Sequence, residues 1–180
     1  MHKGLFITGT GADVGKTFVS ALLIKALQEN GYHVGYYKAA MSGNQRLADG
    51  SLQPGDAAYV KQISGISQPL EQMCSYVYEQ AVSPHLAARL EGNPVELEVI
   101  IKEFAERSQE YDYLTMEGSG GALCPIRFDE KQILLTDIIQ ALQLPCLIAV
   151  SYTHLDVYKR QHSIQARHWL FLTKEKRWEL

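Results

Sequence analysis

The chain has 180 residues, 46% of them apolar and 21% charged, which is typical of a globular domain large enough to bury a core. Its formal net charge of −3 gives no electrostatic reason to expect nucleic acid or an anionic membrane as a partner. Three widely spaced cysteines argue against a disulfide framework or a thiolate metal site. With no signal-peptide pattern or membrane-spanning run, we expect a cytoplasmic protein.

Short apolar runs alternate with helical patterns along residues 1–150. Strands are predicted at 4–8, 32–37, 73–78, 111–116 and 145–150, helices at 16–30, 56–63, 84 onward, 95–109 and 136–143, and a loop at 41–54. This alternation predicts an α/β fold with a doubly wound, mostly parallel sheet and helices on both faces. Ligands of such sheets bind at the C-terminal strand ends, where Lys38, Glu117 and residues 9–17 are predicted to lie.

The sequence GTGADVGKT at residues 9–17 indicates a phosphate-binding loop, although its first glycine stands one residue earlier than in G-x-x-x-x-G-K-[ST]. A dinucleotide-binding loop would need G-x-G-x-x-G and an acidic residue after the second strand, where this chain has Lys38. A glycine-rich turn with an exposed lysine is the remaining alternative. We expect a nucleotide site, because a helix N-terminus, a lysine and a hydroxyl follow the loop. Its expected residues are Gly11, Ala12, Asp13, Val14, Gly15, Lys16 and Thr17.

Two acidic residues are candidates to complete a Mg²⁺ site with Thr17. Glu117 ends an apolar strand and precedes several glycines, and Asp56 begins a predicted helix after Pro54 and Gly55. Mg²⁺ prefers hard oxygen ligands of this kind. Each residue has an alternative role, Asp56 as a helix N-cap and Glu117 as an acidic turn residue.

Lys38 brings a second positive charge to the same strand ends. A lysine at the end of a central strand either points into the ligand crevice or extends to solvent, and Ser42 lies four residues further on. Two lysines beside one phosphate site indicate that a second anion or a developing oxyanion is stabilised there. Tyr36 and Tyr37 are expected to be strand packing residues.

Five motifs carry a resemblance to a known family over residues 3–150. In order they are GTGADVGKT, GYYKAAMSG, PGDAAYV, SPHLAARLEG and LTMEGSGG, and together they resemble dethiobiotin synthetase. That family has a phosphate-binding loop one residue longer than the standard form. The resemblance implies a P-loop NTPase-like fold, a homodimer, and an ATP- and Mg²⁺-dependent ligase of biotin biosynthesis. Such an enzyme converts 7,8-diaminononanoate and CO₂ or bicarbonate to dethiobiotin, ADP and phosphate.

The same resemblance assigns roles by position. Lys16 matches the P-loop lysine, while Thr17, Asp56 and Glu117 match metal ligands that also belong to the nucleotide site. Lys38 and Ser42 match the active-site lysine and serine beside the diamine and its carbamate, so the implied catalytic residues are Lys16, Lys38 and Ser42. The implied substrate-binding residues are Ala12, Lys16, Lys38, Ser42 and Gly118. Ala12 replaces a threonine of many members, which implies the loss of one hydrogen bond, typically about 1 kcal/mol.

Residues 151–180 differ in composition from residues 1–150. They contain no glycine, both tryptophans, and six Lys and Arg against three Asp and Glu. The family continues after LPCLIAV with a glycine-containing loop, a helix that holds the substrate carboxylate across a dimer, and segments that close the adenine pocket. We interpret the tail, from SYTHLDVYKRQ onward, as a sequencing or assembly artefact, with a divergent basic helix as the alternative. On this interpretation the ligase domain at 1–150 is truncated and leaves a sheet edge exposed.

Other functions remain alternatives at this point. Glutamine-dependent cobyric or cobyrinic acid amidases would need a long glutaminase domain, for which the chain has no room. A partner-switching ATPase of the partitioning type usually has an additional lysine early in its loop, and residues 9–13 contain none. The third alternative is an inactive fragment of the synthetase.

Overall fold

The computed structural model describes residues 4–151 and, for the backbone alone, residues 169–173. The helices are α1 (Lys16–Glu29), α2 (Gly55–Ser64), α3 (Pro84–Leu90), α4 (Leu97–Arg107) and α5 (Leu135–Leu142). The strands are β1 (Gly4–Gly9), β2 (Val34–Met41), β3 (Gln45–Arg46), β4 (Leu52–Gln53), β5 (Cys74–Val77), β6 (Tyr113–Glu117), β7 (Pro125–Phe128), β8 (Gln132–Leu134), β9 (Cys146–Val150) and β10 (Trp169–Thr173).

Six of the described strands form one parallel sheet in the order β10-β9-β1-β6-β2-β5. Strand β6 lies between β1 and β2, although it follows both in the chain, and β9 pairs with the other side of β1. The chain therefore reverses its direction of winding about β1. In parallel α/β sheets such a switch point leaves a crevice at the C-terminal strand ends.

Helices cover both faces of the sheet, as the alternating sequence pattern predicts. On one face, α1 and α2 pack against buried residues of β2, among them Val34 and Tyr36. On the other face, α3, α4 and α5 pack around Tyr37, Phe104 and Met116. Neighbouring residues of β2 therefore enter opposite cores, because side chains alternate across a strand.

Strand β2 is longer than predicted, and this changes the position of Lys38. The strand continues to Met41, since residues 39–41 are apolar and buried, and Ala40 and Met41 pair with Tyr76 and Val77 of β5. Lys38 is therefore an interior residue of the strand, and the prediction that it stands at the end was wrong.

Two small hairpins lie outside the predicted elements. The predicted loop at 41–54 contains the antiparallel pair β3–β4, and β7 pairs with β8 after the glycine-rich segment that follows β6. Both hairpins have strands of two to four residues. Strands this short show too little alternation for the period-2 pattern to identify them.

The expectation of an exposed sheet edge beyond Val150 was wrong for β9. The backbone of β10 pairs with β9 from Cys146 to Val150, consistent with the apolar sequence WLFLT of this segment. The interpretation of residues 151–180 as an artefact stays a prediction, since residues 152–168 and 174–180 lie outside the described residues. Among the described residues, no helix is both long enough and apolar enough to cross a membrane.

Gly9 and Gly11 provide a test of how tightly the glycine loop packs. A Cβ at Gly9 would lie 2.5 Å from Val14 Cγ2 and 3.1 Å from the Ala149 carbonyl oxygen, whereas one at Gly11 would meet nothing within 4 Å. We expect Gly9→Ala to lower the free energy of unfolding by about 1–3 kcal/mol through overpacking. Gly11→Ala should change it by no more than about 0.5 kcal/mol. Urea unfolding without ligands measures both, and equal effects would contradict the packing described here.

Candidate nucleotide and metal site

A cavity of about 330 Å³ lies where β1, β2 and β6 end. The sequence-predicted site residues that line it are Ala12, Asp13, Gly15, Lys16, Thr17, Lys38, Ser42, Asp56 and Glu117. Ala40, Met41, Ser119 and Gly120 complete the lining. Three predicted residues are not part of it, namely Gly11, Val14 and Gly118. A Cβ at Gly118 would lie 2.6 Å from a Leu135 methyl, so this glycine packs against the core.

The glycine loop runs from the end of β1 to the start of α1. Gly15 precedes the helix with φ of 92°, a left-handed conformation that favours glycine, and Asp13 has φ of 56°. Lys16 is the first residue of α1, and its ammonium donates to the Gly11 carbonyl oxygen at 2.7 Å. A loop of this shape at the N-terminus of a 14-residue helix is a favourable place for phosphate, because the first helical N–H groups have no partners within the helix.

Glu117 lies at the back of the cavity and is only 1% exposed. Its Oε1 accepts hydrogen bonds from the Thr17 hydroxyl at 2.9 Å and the Lys38 ammonium at 2.8 Å. Its Oε2 lies 2.9 Å from the Ser20 hydroxyl and 3.0 Å from the Tyr36 hydroxyl. Burying a carboxylate is costly unless its oxygens are hydrogen-bonded, and these four donors supply that compensation.

Lys38 links the two acidic residues of the site. Its Nζ lies 2.5 Å from Asp56 Oδ2 and 2.8 Å from Glu117 Oε1, and the residue is 4% exposed. Burial by itself would lower the pKa of Lys38, but the charges of Glu117 and Asp56 outweigh it and raise that pKa above its ordinary value. Lys38 is therefore a charged residue of the cavity wall at neutral pH, and the alternative that it extends to solvent is wrong.

Lys16 has the opposite electrostatic environment. Burial, followed by the nearby positive charge of Lys38, lowers the pKa of Lys16 below its ordinary value. A second anion between the two lysines would relieve their repulsion, so the cavity is suited to a ligand with several negative charges.

Asp56 and Ser42 lie on segments that one buried asparagine holds together. Asn44 donates to the carbonyl oxygens of Met41 at 3.0 Å and Tyr78 at 2.9 Å, and it accepts from the Gly55 amide at 2.9 Å. Gly55 begins α2, so this bond fixes the turn that carries Asp56. The residue at the N-cap position is Pro54, and the alternative role of Asp56 as the N-cap is therefore wrong.

Sequence reasoning missed three side chains of the site. The sequence pattern indicates only packing for Tyr36, assigns no role to Ser20, and shows Asn44 as one residue of a polar loop. A signal existed for Ser20, because it lies four residues after Lys16 on a predicted helix and therefore on the same face. No local signal identifies the Tyr36 and Asn44 contacts, whose partners are 81 and 34 residues away along the chain.

Thr17, Asp56 and Glu117 together form a donor set that fits Mg²⁺. All three lie on the cavity wall and offer hard oxygens, and Thr17 and Glu117 are already in contact. The described residues contain no cluster of three or more His, Cys, Asp or Glu side chains placed for a metal ion. A cation in this cavity would therefore be held by two carboxylates and a hydroxyl, with the remaining ligands from water and phosphate.

Comparison with known proteins gives consistent matches. The model of the AAA domain family matches residues 3–165. ATP-dependent dethiobiotin synthetases are similar to 82% of this chain, with 47% identity for the protein of Clostridium botulinum strain 657 and 49% for that of strain Okra. The protein of the same name from Brachyspira hyodysenteriae is 47% identical over 149 residues. In each case the chain spans 65% of the relative's length.

One solved structure shows a weaker likeness. The kinase domain of Escherichia coli tyrosine kinase ETK matches with a TM-score of 0.48 and 16% identity, over 99% of this chain and 71% of that domain. A likeness of this degree supports no conclusion about function.

Replacing Lys38 tests the buried ion pair. We expect Lys38→Met to lower the free energy of unfolding by about 3–5 kcal/mol at neutral pH, because Glu117 stays buried without its cation. We expect most of this loss of stability to come from breaking the Lys38–Glu117 pair. The Asp56 side chain is 43% exposed, so solvent screens its charge and weakens its pair with Lys38. Arg46→Met, which breaks the exposed pair with Glu79, should cost far less.

The pH dependence of that difference follows from the two pKa shifts. Because folding lowers the pKa of Asp56, this residue stabilises the fold when the pH is above 3.8, its ordinary pKa. Because folding raises the pKa of Lys38, this residue stabilises the fold when the pH is below 10.5, its ordinary pKa. The gap between the wild type and Lys38→Met should therefore be widest between these values. It should narrow as acid protonates Asp56, and also as alkali deprotonates Lys38. Urea unfolding at pH 3, 7 and 11.5 measures it, and a gap that is constant across pH would contradict the ion pair.

Proposed function

The chain belongs to the AAA domain family, and from its similarity to ATP-dependent dethiobiotin synthetases we propose that it is an ATP- and Mg²⁺-dependent enzyme of that kind. The proposed reaction joins CO₂ to 7,8-diaminononanoate and closes the ring, with release of ADP and phosphate. The observation that supports it most strongly is the convergence of Lys16, Lys38 and Glu117 on one cavity in a chain 47% identical to proteins of that name.

ATP is proposed to bind with its phosphates on the glycine loop. The N-terminus of α1 favours anions, and the Lys16 ammonium is placed beside the loop through its bond to the Gly11 carbonyl oxygen. Thr17, Asp56 and Glu117 would hold Mg²⁺, which when bound neutralises charge on the phosphate oxygens.

The first chemical step is proposed to form a carbamate. A neutral amine of the substrate attacks the carbon of CO₂, one C=O electron pair moves to oxygen, and the amine proton leaves to water. Lys16 and Lys38 disfavour a protonated amine beside them and then stabilise the carbamate anion. Ser42, which lines the same cavity, is proposed to donate a hydrogen bond to that carbamate.

The next steps are phosphoryl transfer and ring closure. A carbamate oxygen attacks the γ-phosphorus of ATP, and ADP leaves. The second amine then attacks the carbamoyl carbon, phosphate leaves with its bonding electron pair, and the amine proton is lost to water. Phosphoryl transfer depends mainly on positioning and on neutralising charge, which the lysines of this cavity are placed to do. We further propose that the protein works in the cytoplasm as a homodimer. Sedimentation of the purified chain would test whether it is dimeric.

The decisive measurement is fixation of labelled bicarbonate together with ADP release by the purified chain. We expect both products to require ATP, Mg²⁺ and 7,8-diaminononanoate. Lys38→Met should lower kcat by about 100-fold or more, because it removes a charge that stabilises the carbamate. Lys102→Met, at a side chain that is 75% exposed on α4, is the matched control and should keep wild-type kcat.

ADP release that is unaffected by the diamine would contradict the proposal and would favour a partner-switching ATPase. Fixation without ATP, or equal kcat for the two lysine variants, would contradict the assigned chemistry. Binding of ADP without any turnover would leave the inactive-fragment alternative as the better description.

A further inference from the structure

We propose that Tyr36 is a positioning residue for Mg²⁺, which holds the Glu117 carboxylate so that Oε1 faces the cavity. The inference rests on the proposed function, because it assumes that Glu117 is a metal ligand. It assigns a role to a tyrosine that the sequence pattern indicates only as a core residue.

The two oxygens of Glu117 have different surroundings. Oε1 is bonded to Thr17 and Lys38, which line the cavity. Oε2 is directed to Ser20 and Tyr36, which do not line it. Tyr36 and Ser20 therefore hold Oε2 away from the cavity, and Oε1 faces the cavity beside Thr17 and Lys38.

Both the side chain and the backbone of Tyr36 are held in place. Its side chain is fully buried among residues of α1, α2 and β2. Its backbone amide donates to Gln68 Oε1 at 2.8 Å, and its carbonyl oxygen accepts from Gln68 Nε2 at 2.9 Å. A hydroxyl on so constrained a ring is a fixed donor, and fixed donors behind a metal ligand typically contribute a factor of 10–100 to metal affinity.

Ser20 is a weaker support for the same oxygen. Its hydroxyl lies 2.9 Å from Glu117 Oε2 and 3.0 Å from the Lys16 carbonyl oxygen, and its single proton can serve only one of them at a time. Without the Tyr36 hydroxyl, Oε2 would depend on this shared donor.

Tyr37 offers a matched control one position further along β2. It is also fully buried, but its hydroxyl meets Ser75 on the opposite face of the sheet. Tyr36→Phe and Tyr37→Phe therefore each remove one buried hydroxyl from the same strand. A role limited to stability predicts similar behaviour for the two variants, whereas a positioning role predicts different metal binding.

The experiment is a Mn²⁺ titration of the full chain with saturating ADP, in which the spectral signal of free Mn²⁺ reports the bound fraction. We expect Tyr36→Phe to raise the Mn²⁺ dissociation constant about 10-fold and Tyr37→Phe to change it less than about two-fold. Ser20→Ala should raise it by a smaller factor than Tyr36→Phe. ADP affinity without metal should be the same for all variants, because none of the three side chains lines the cavity.

Each outcome bears on the inference. Equal Mn²⁺ constants for Tyr36→Phe and the wild type, or equal losses in the two tyrosine variants, would overturn it while leaving the proposed function intact. If Tyr36→Phe does not fold, the Mn²⁺ titration of Ser20→Ala provides the test instead. A Mn²⁺ dissociation constant equal to that of the wild type would then overturn the inference. A wild-type chain that binds ADP but shows no Mn²⁺ site would overturn this inference and the proposed metal chemistry together.

Discussion

The buried ion pair between Glu117 and Lys38 is the interaction on which the rest of the site depends. A carboxylate that is 1% exposed on a central strand requires hydrogen-bond donors from the elements packed around it. α1 and β2 supply them, and the strand register places Lys38 directly opposite Glu117. The same bonds therefore set the register of β2 against β6 and attach the glycine loop to the sheet. A shift by one residue would turn Lys38 into the opposite core.

The two lysines of the cavity have different electrostatic surroundings. Lys38 is tied to carboxylates that raise its pKa, whereas Lys16 is left beside it with a lowered pKa and a single carbonyl partner. The first lysine is a fixed part of the wall, and the second is the group that an incoming phosphate can engage. Asn44 bonds the segment that carries Ser42 to Tyr78, which follows β5, and to Gly55, which begins α2 before Asp56. Lys38 then joins Asp56 to Glu117 across the cavity.

Much of the architecture could be predicted because its signals are local. The glycine loop, the order of strands and helices, and the doubly wound parallel sheet follow from periodicity and from glycine placement within short windows, and the structure and family match confirm them. The prediction that Lys38, Glu117 and residues 9–17 lie together rested on the rule that parallel strands present their C-terminal ends at one edge, and both side chains line the cavity beside the glycine loop. The strand limits around Lys38 could not be predicted, because pairing with β5 decides how far β2 extends.

The sequence by itself determined which chemical groups the cavity has: a phosphate loop, two lysines, two carboxylates and the hydroxyls of Thr17 and Ser42. Their types and local spacing are properties of the chain, and the parallel sheet brings the segments that carry them to one edge. Only the tertiary structure decided how those groups are oriented. Tyr36, Ser20 and Asn44 make contacts that join distant segments of the chain, and such contacts arise from packing rather than from periodicity. The identity of the groups was therefore local, whereas the direction in which the Glu117 carboxylate faces depended on the whole fold.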